Sequence, residues 1–248
     1  MIPPTILKKL ELYARQTAPK EACAILIKAA QGWEIKELAN LAGNPQSSFA
    51  VDAGLMDGLC KGREAVFFHS HPFGPSYPSL LDMQGFVDTK IDWLIADISV
   101  QPVQFFTLSG KGQADLHNRP FRHGISDCYS LIRDYYKQIF ELELLEYPRG
   151  WQWWSEGFAH YRDQFKGAGF FQLEEGAALQ HGDIALIRLR AKVANHAAIW
   201  CGDGLLFHHL ASSQGFDAYR FPQYDPAERF APFIEGWIRH HSLTQKEA

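Results

Sequence analysis

The spacing of apolar and polar residues in the N-terminal half alternates between helical and strand-like periods. Residues 6–15 place apolar side chains three or four positions apart, which predicts an amphipathic helix. Apolar runs at residues 22–27 and 33–38, with Gln31 and Gly32 between them, predict two strands joined by a turn. Three more strands and a helix are predicted at residues 64–71, 93–100, 103–108 and 80–87. We therefore expect a domain of mixed α and β structure.

The C-terminal half has a different order of elements. A helical pattern covers residues 126–142, and an irregular aromatic segment follows at residues 151–171. Consecutive antiparallel strands are predicted at residues 183–188, 197–200 and 205–208. This half is expected to combine one long helix with an antiparallel sheet.

The boundary between the halves is predicted from a segment without regular structure. Residues 109–124 have no hydrophobic period and many turn-forming residues. A chain of 248 residues is also about twice the commonest domain size. We therefore predict two domains, at residues 1–115 and 116–248, and the α+β class for the chain.

Charge and composition narrow the classes of function. The chain has 24 Lys and Arg against 28 Asp and Glu, and its basic residues are dispersed. A general nucleic-acid or anionic-membrane binder needs a basic surface, so no nucleic-acid partner is expected. Prolines stand near the N-terminus where a signal peptide is basic and then apolar, and no run of about 18 apolar residues follows. We expect neither a signal peptide nor a membrane-spanning segment.

Two histidines and an aspartate around a loop have the spacing of a metal site. Side chains two apart on a strand point to one face, so His69 and His71 direct two imidazoles to one point. Ser79 is placed to cap the next helix, and Asp82 in its first turn can supply an oxygen ligand. Two nitrogens and one carboxylate leave a fourth tetrahedral position for water, as in catalytic zinc sites. A nearby carboxylate can take the proton of that water.

The stretch HSHPFGPSYPSLLD resembles the motif of JAMM (Mov34/MPN) metallopeptidases: HxH, seven residues, Ser, two residues, Asp. The upstream PKEACAIL resembles the segment of that family that contains its glutamate. The resemblance implies an MPN-type mixed α/β sandwich and Zn²⁺ as the cofactor. The resemblance implies that Glu21 is the general base and that Ser79 supplies the hydroxyl that stabilises the oxyanion. The implied metal ligands are His69, His71 and Asp82.

One departure and one alternative accompany this assignment. Ala24 stands where related sequences often have glycine. In the alternative, His69 and His71 are surface residues at a strand end, and Ser79 and Asp82 form only a capping box.

Cys128 has the sequence context of a nucleophile. It follows the candidate helix cap Ser126 by two residues, where unpaired N–H groups and the helix dipole favour a thiolate. A thiolate that attacks an amide also needs an imidazole and a partner that orients this imidazole. His196 and His208 lie on two predicted strands joined by a turn, so they can be neighbours. His209 is a rival for His208, because hairpin register cannot be fixed from sequence.

Three segments, FRHGISDCYSLIRDYY, HGDIALIRL and NHAAIWCGDGLLFHHL, resemble parts of NlpC/P60 cysteine peptidases. The resemblance implies a papain-like domain with an antiparallel sheet, Cys128 as nucleophile, His196 as base and His208 as the third member. Tyr129 departs from the serine of many wall peptidases, and the tyrosine upstream of their nucleophile has no clear match, with Phe121 nearest. The role affected is stabilisation of the oxyanion.

Other residues have simpler expected roles. A buried core thiol is the alternative for Cys128 and the expectation for Cys23, Cys60 and Cys201. Asp127 and Asp183 are interpreted as cap and turn residues. An aromatic group either lines a substrate groove or packs in the core; it comprises Trp151, Trp153, Trp154, Phe158 and Tyr161.

A JAMM domain followed by an NlpC/P60 domain resembles the tail assembly proteins of lambda-like siphophages. The resemblance implies a peptidoglycan hydrolase that cleaves amide bonds of stem peptides, between γ-D-glutamate and diaminopimelate for the NlpC/P60 site. Its implied partners are stem peptides and other tail-tip proteins, in the virion tail tip or in the host cytoplasm during assembly. The alternative is an assembly factor that binds or processes tail proteins, with one or both sites vestigial. A host regulator similar to deubiquitinases leaves the C-terminal half unexplained.

Overall fold

The computed structural model describes residues 2–109, 115–211 and 221–246. The chain divides into two compact units, Met1–Gly112 and Gln113–Ala248. The predicted α+β class is confirmed, with a mixed sheet in the first unit and an antiparallel sheet in the second. Part of the predicted linker lies outside the described residues, and the boundary near residue 116 stays a prediction. No helix in the described part of the chain has the length and apolar character needed to cross a membrane.

The first unit contains a five-stranded sheet and three helices within its described residues. They are α1 (Pro4–Thr17), β1 (Cys23–Ala29), β2 (Gly32–Leu38), α2 (Ala53–Cys60), β3 (Ala65–His71), α3 (Leu80–Thr89), β4 (Asp92–Asp97) and β5 (Gln104–Leu108). The strand order is β2-β1-β3-β4-β5, in which β3 and β4 are parallel and the other pairs antiparallel. The sequence predicts each of these elements except α2.

The two faces of β3 pack against different parts of the unit, because side chains alternate along a strand. Val66 and Phe68 belong to the apolar core that also contains the buried face of α1. Phe67, His69 and His71 are therefore directed to the opposite face. The alternation of this strand thus brings the two histidines to the same side of the sheet.

Helix α3 lies close to that second face. A Cβ atom at Gly85 would be 2.4 Å from Cη2 of Trp93, so only glycine permits this approach of helix and sheet. Trp93 also donates a hydrogen bond through Nε1 to Oγ1 of Thr89, at 2.9 Å. Met83, on the buried face of α3, is fully buried. Because Asp82 precedes Met83, this packing determines where its carboxylate lies.

The second unit contains a six-stranded antiparallel sheet. Its elements are α4 (Cys128–Phe140), α5 (His160–Gln164), β6 (Phe170–Gln172), β7 (Ile184–Ile187), β8 (His196–Gly202), β9 (Leu205–His208), β10 (Gln223–Pro226) and β11 (Ile234–His240), with short 3-10 helices at Trp153–Glu156, Ala227–Arg229, Ala231–Phe233 and His241–Lys246. The strand order is β10-β9-β8-β7-β11-β6. The sequence predicts α4, β7, β8 and β9, and it does not predict β6, β10 or β11.

The buried face of α4 packs on the centre of this sheet. Leu131, Ile132 and Tyr136 recur at helical spacing and share one core with Ala197 and Ile199 of β8. This contact holds the helix against the strand that begins at His196.

Asp127, and not Ser126, caps α4. The Oδ1 atom of Asp127 accepts from the N–H of Ser130 at 2.9 Å, and its Oδ2 atom accepts from the N–H of Gly124 at 2.8 Å. Ser126 instead donates its hydroxyl proton to the carbonyl of Pro120, at 2.6 Å. The candidate cap Ser126 is therefore wrong, the interpretation of Asp127 as a cap residue is confirmed, and the helix begins at Cys128 itself.

Candidate active sites

Three ligand atoms converge at the end of β3. The Nε2 atoms of His69 and His71 are 3.1 Å apart. Oδ1 of Asp82 lies 3.2 Å from Nε2 of His69, and Oδ2 of Asp82 lies 3.4 Å from Nε2 of His71. Ligand atoms around a tetrahedral zinc ion are about 3.3 Å apart, because each metal–nitrogen bond is about 2.0–2.1 Å long. Among the described residues, His69, His71 and Asp82 are the group of three His, Cys, Asp or Glu side chains whose ligand atoms all lie within 4.8 Å of one another. The donor set fits a zinc ion.

Burial decides against one alternative for these histidines. His69 is 0% exposed and His71 is 4% exposed, so they are not surface residues. The capping box of the alternative does exist: Ser79 Oγ accepts from the N–H of Asp82 at 3.1 Å, and Asp82 Oδ2 accepts from the N–H of Ser79 at 2.7 Å. Asp82 therefore belongs both to the helix cap and to the ligand group. The hydroxyl proton of Ser79 is left to donate, and its predicted role stays a prediction.

A network around the following loop orients His71. Its Nδ1 atom is 2.8 Å from the carbonyl oxygen of Pro75, which can only accept, so Nδ1 donates and the neutral ring has its lone pair on Nε2. The loop is held by buried Asp97, which accepts from the N–H of Ser99 at 2.9 Å and from the hydroxyl of Ser76. Sequence reasoning missed Asp97. Asp97 lies inside a predicted strand, and its register with His71 on β3 is visible only in the structure.

The charges of the ligand group are strongly coupled. Burial alone raises the pKa of Asp82, but the adjacent histidines hold this pKa well below its usual range. Burial lowers the pKa of His69. Burial also acts to lower the pKa of His71, but the hydrogen bond and charge of Asp82, the carbonyl of Pro75 and the charge of Glu21 together outweigh it, and the pKa is raised. Asp82 is therefore ionised, which is the form that binds a metal.

Glu21 lies just before β1, within electrostatic range of His71 and Asp82. Burial raises the pKa of Glu21 to about 7; Asp82 adds to the rise and His71 opposes it. Its backbone is fixed, since its N–H donates to the carbonyl of Pro45 at 2.7 Å and its carbonyl accepts from Nδ2 of Asn40 at 3.1 Å. A carboxylate with a pKa near 7 is suited to exchange protons with a substrate.

In the second unit, the thiol of Cys128 meets a phenol and a backbone amide. Its Sγ atom is 2.9 Å from Oη of Tyr161. The backbone N–H of Ala197 also makes a hydrogen bond to the thiol. Because Ala197 follows His196, the thiol lies at the start of the strand that contains the predicted base. Cys128 keeps partial exposure.

The helix N-terminus does not make this thiol acidic. Burial raises the pKa of Cys128 to about 11, and Asp127 contributes to the rise. Hydrogen bonds with Tyr161 and Ala197 lower the pKa and offset only part of the effect. The expectation that the helix end favours a thiolate is therefore wrong for the resting thiol, which needs a base to remove its proton.

The predicted base has the predicted partner. Nε2 of His196 is 3.2 Å from Nδ1 of His208, so His208 occupies the third position. His209 instead contacts the ring of Phe121, with ring centres 5.1 Å apart. Nε2 of His208 is 3.0 Å from Oδ2 of Asp225, a residue that sequence reasoning missed. The sequence of β10, QYDP, has only one apolar residue besides its proline, so no alternation of apolar residues predicted this strand. The catalytic roles stay predictions.

The aromatic group divides between packing and the site. Trp153 is buried and packs edge-on against Tyr161, with ring centres 5.8 Å apart. Phe158 is 55% exposed. Only Tyr161 of these three contacts the thiol, from a position downstream of Cys128, whereas the family resemblance directs attention upstream to Phe121.

Both units match known families in the predicted order. The first matches the family of prokaryotic homologs of the JAB domain over residues 4–109, and the second matches the NlpC/P60 family over residues 118–226. Tail tip assembly protein K of Escherichia phage lambda is 34% identical over 151 residues, which cover 60% of this chain and 71% of that protein. The chain belongs to the tail tip assembly protein K family.

A second member of the K family supports the same alignment over more of the chain. Tail tip assembly protein K of Escherichia phage N15 is 28% identical over 204 residues, which cover 80% of this chain and 81% of that protein. A crystal structure of an NlpC/P60 family protein from Bacillus cereus aligns over 93% of this chain and 66% of that chain, at 15% identity and a TM-score of 0.34. A TM-score this low does not establish a common fold.

Proposed function

We propose that this chain is a peptidase of the phage tail tip whose second unit cleaves peptidoglycan stem peptides through Cys128. The observation that supports this most directly is that Cys128, the first residue of α4, lies where this helix packs on β8, the strand that begins at His196. Membership in the K family supports a setting in the tail tip or in the host cytoplasm during assembly. The proposed bond lies between γ-D-glutamate and diaminopimelate, and the proposed partners are stem peptides and other tail-tip proteins.

The residues of the second unit divide the reaction between them. His196 takes the proton from Sγ of Cys128, and the sulfur attacks the carbonyl carbon of the amide. The C–N bond then breaks as His196 returns the proton to the leaving nitrogen. Water hydrolyses the resulting thioester, with His196 again accepting a proton. His208 orients His196 through the 3.2 Å contact between Nδ1 of His208 and Nε2 of His196. Before the reaction, Oη of Tyr161 contacts the sulfur of Cys128.

In the first unit, the proposed zinc ligands are His69, His71 and Asp82. A bound zinc ion supplies Lewis acidity, which acidifies a water molecule and polarises the substrate carbonyl. Glu21, whose pKa burial raises to about 7, accepts the proton of the attacking water and delivers it to the leaving amine. Ser79 donates its hydroxyl proton to the oxygen on which negative charge develops. An isopeptide bond is the proposed substrate class of this unit.

Digestion of purified muropeptides, followed by mass spectrometry of the products, tests the proposal. We expect the intact protein to release fragments cut before diaminopimelate. Cys128→Ala is expected to lose this cleavage by at least about a thousandfold, because it removes the nucleophile. Cys201→Ala is the matched control, since it removes another partly exposed thiol and should cleave normally. Absence of cleavage by the intact protein, or unchanged cleavage in Cys128→Ala, contradicts the proposal.

A second candidate function is assembly, and the name of the two relatives, tail tip assembly protein K, favours it. In this case the chain binds or processes other tail-tip proteins, and stem peptides are not its substrate. Phage that encode Cys128→Ala separate the two functions. Under the first proposal, electron microscopy finds normal tails that fail to infect. Under the second, the lysate lacks complete tails if processing at this site is required.

A further inference from the structure

Behind the pair formed by His196 and His208 lies a carboxylate, that of Asp225, which has no role in the proposed peptidase reaction. Asp225 lies in β10, which pairs with β9 so that Gln223 is opposite His208. Its Oδ2 atom is 3.0 Å from Nε2 of His208 and accepts from Nε2 of Gln223 at 2.9 Å and from Nη1 of Arg229 at 2.8 Å. The side chain is 16% exposed. Three donors on one oxygen fix the carboxylate against His208.

The carboxylate of Asp225 is ionised, so it acts only as an acceptor. Burial acts to raise its pKa, but His208, Gln223 and Arg229 together lower this pKa below its ordinary value. An ionised carboxylate has no proton to donate. The hydrogen between the two groups therefore lies on Nε2 of His208.

His208 transmits this constraint to His196. A neutral imidazole has one protonated and one unprotonated nitrogen, so protonation at Nε2 leaves Nδ1 of His208 as an acceptor. That Nδ1 atom is 3.2 Å from Nε2 of His196, which must then donate. The lone pair of neutral His196 is consequently on Nδ1. This nitrogen is the one that can accept a proton from the thiol.

We propose that Asp225 is a positioning residue that sets the tautomers of His208 and His196 and thereby makes His196 a proton acceptor for Cys128. The inference rests on the proposed role of Cys128 as nucleophile. In the proposed step, the proton leaves Sγ and binds Nδ1 of His196. The Nε2–H of His196 stays on its nitrogen and is accepted by Nδ1 of His208, whose own Nε2–H is held by the ionised carboxylate of Asp225. The thiolate then carries the negative charge and His196 the positive charge, which Asp225 stabilises through His208.

The surroundings of the histidine pair strengthen this effect. The ring of Phe230 packs against His208 and His196, with ring centres 5.0 and 6.5 Å away. An apolar ring excludes water, so the charge of Asp225 acts through a medium of low dielectric constant. Arg229 also faces Asp225, but its side chain is 58% exposed, so solvent screens its charge more effectively.

The groups that face the thiol from other elements do not replace this base. Asp127 at the helix cap raises the pKa of Cys128, as burial does to a larger extent. Tyr161 and the guanidinium of Arg149 act to lower it. The net result is a thiol that keeps its proton at neutral pH. Its reactivity at that pH therefore reports on His196 and on what holds His196 in the accepting tautomer.

The rate at which iodoacetamide alkylates Cys128 tests the inference without any substrate. Mass spectrometry of the Cys128 peptide separates this thiol from the other three. Asp225→Ala removes the acceptor and the charge, and we expect at least about a tenfold slower reaction at pH 7, the usual size of such outer effects. We also expect the rise of the rate to move to higher pH. Asp225→Asn keeps an acceptor without the charge, and its rate should lie between the two.

Two controls make the result specific. Asp203→Asn removes a carboxylate from the exposed turn between β8 and β9, and its pH profile should match that of the unchanged protein. His196→Ala should slow alkylation at pH 7 at least as much as Asp225→Ala. If His196→Ala is slowed and Asp225→Ala stays within twofold of the unchanged protein, the inference is overturned and the Cys128 and His196 pair stands. If His196→Ala also reacts normally, the proposed catalytic pair itself fails.

A measurement on the unchanged protein guards against variants that do not fold. Nitrogen-15 NMR of labelled histidine distinguishes the two neutral tautomers of an imidazole. We expect both His208 and His196 to have the proton on Nε2 at pH 8. A proton on Nδ1 of neutral His208 overturns the inference, whatever the variants do.

Discussion

Replacement of Arg149 by methionine removes the cation that neutralises the cap of α4. Its Nε and Nη2 atoms donate to the two oxygens of Asp127 at 2.7 and 2.9 Å. Nη2 also donates to Oγ of Ser130 at 2.8 Å, and Nη1 donates to Oε1 of Glu146 at 2.6 Å. The side chains of Arg149 and Asp127 are 7% and 4% exposed. Methionine fills similar space but leaves the carboxylate of Asp127 buried without its guanidinium partner.

The magnitude follows from this burial. Asp127 keeps its hydrogen bonds from Gly124 and Ser130, but removal of one partner from a buried ion pair costs about 3 to 5 kcal/mol. We expect the free energy of unfolding of the second unit to fall by about that amount at pH 7. Arg188→Met is the matched control, because the pair of Arg188 with Glu235 is 50% and 39% exposed. It should cost less than about 1 kcal/mol.

The pH dependence gives a second test of the same change. Burial acts to raise the pKa of Asp127, but Arg149, together with His123 and the N–H of Ser130, outweighs it and holds the pKa well below the usual range. A lowered pKa contributes stability above the pKa of the unfolded chain, and this stability is lost as the pH falls. In Arg149→Met only His123 and the hydrogen bonds from Gly124 and Ser130 oppose the effect of burial. The pKa of Asp127 therefore rises, so Asp127 takes up a proton as the pH falls and the folded state gains. The difference between the two proteins should therefore shrink from pH 7 to pH 4.5.

Urea unfolding followed by tryptophan fluorescence measures this difference. Five of the seven tryptophans belong to the second unit, namely Trp151, Trp153, Trp154, Trp200 and Trp237. The signal is therefore dominated by that unit. A loss below about 1 kcal/mol at pH 7 refutes the assignment of a buried ion pair at the cap. A loss that stays constant down to pH 4.5 refutes the reasoning about Asp127.

Three further predictions concern the two sites. Metal analysis of the purified protein should find one zinc ion per chain, lost in His69→Ala and kept in His241→Ala; equal zinc in both variants contradicts the ligand assignment. Burial raises the pKa of Glu21 to about 7, above its unfolded value, so in chelator-treated protein the first unit should lose up to roughly 3 kcal/mol as the pH rises from 4 to 7. Thermal unfolding of Glu21→Gln should lack this fall, and an unchanged slope argues against a buried carboxyl group. Burial raises the pKa of Cys128, and the hydrogen bond with Tyr161 partly offsets this rise. Tyr161→Phe should therefore slow alkylation of the thiol at pH 8 roughly fivefold. A faster reaction contradicts this and means that the phenol shields the sulfur.

The convergence of the three proposed metal ligands could be predicted because its geometry is local. Two positions on one strand share a face, and a serine followed three residues later by an aspartate defines the first turn of a helix. His69, His71 and Asp82 therefore needed only the loop between strand and helix to reverse the chain. The approach of the strand that contains His196 to the strand that contains His208 was predictable for a similar reason, because a short turn joins them, but the structure was needed to select His208 over His209.

Residues that reach the sites from distant elements were missed. Asp97 supports His71 only because β4 pairs in parallel with β3, and Asp225 meets His208 only because β10 joins the edge of the sheet beside β9. Tyr161 reaches Cys128 across 33 positions of the sequence. Such contacts depend on strand order and register, which the hydrophobic period of a single segment does not specify. Ser126 and Asp127 were both interpreted as cap residues, and the sequence could not select between them, since both residue types cap helices well.

Burial raises the pKa of both Glu21 and Cys128, but the consequence differs: it makes the carboxylate a better base and the thiol a weaker acid. This difference explains why the two sites are built differently. Burial raises the pKa of Glu21 to about 7, which turns an ordinary carboxylate into a base that can both accept and release a proton near neutral pH. The same effect raises the pKa of Cys128 to about 11, which makes a thiol that holds its proton. The first site therefore needs no further group to tune its base. The second site needs an imidazole whose tautomer is fixed from behind, and the chain of contacts from His196 through His208 to Asp225 has the geometry for that task.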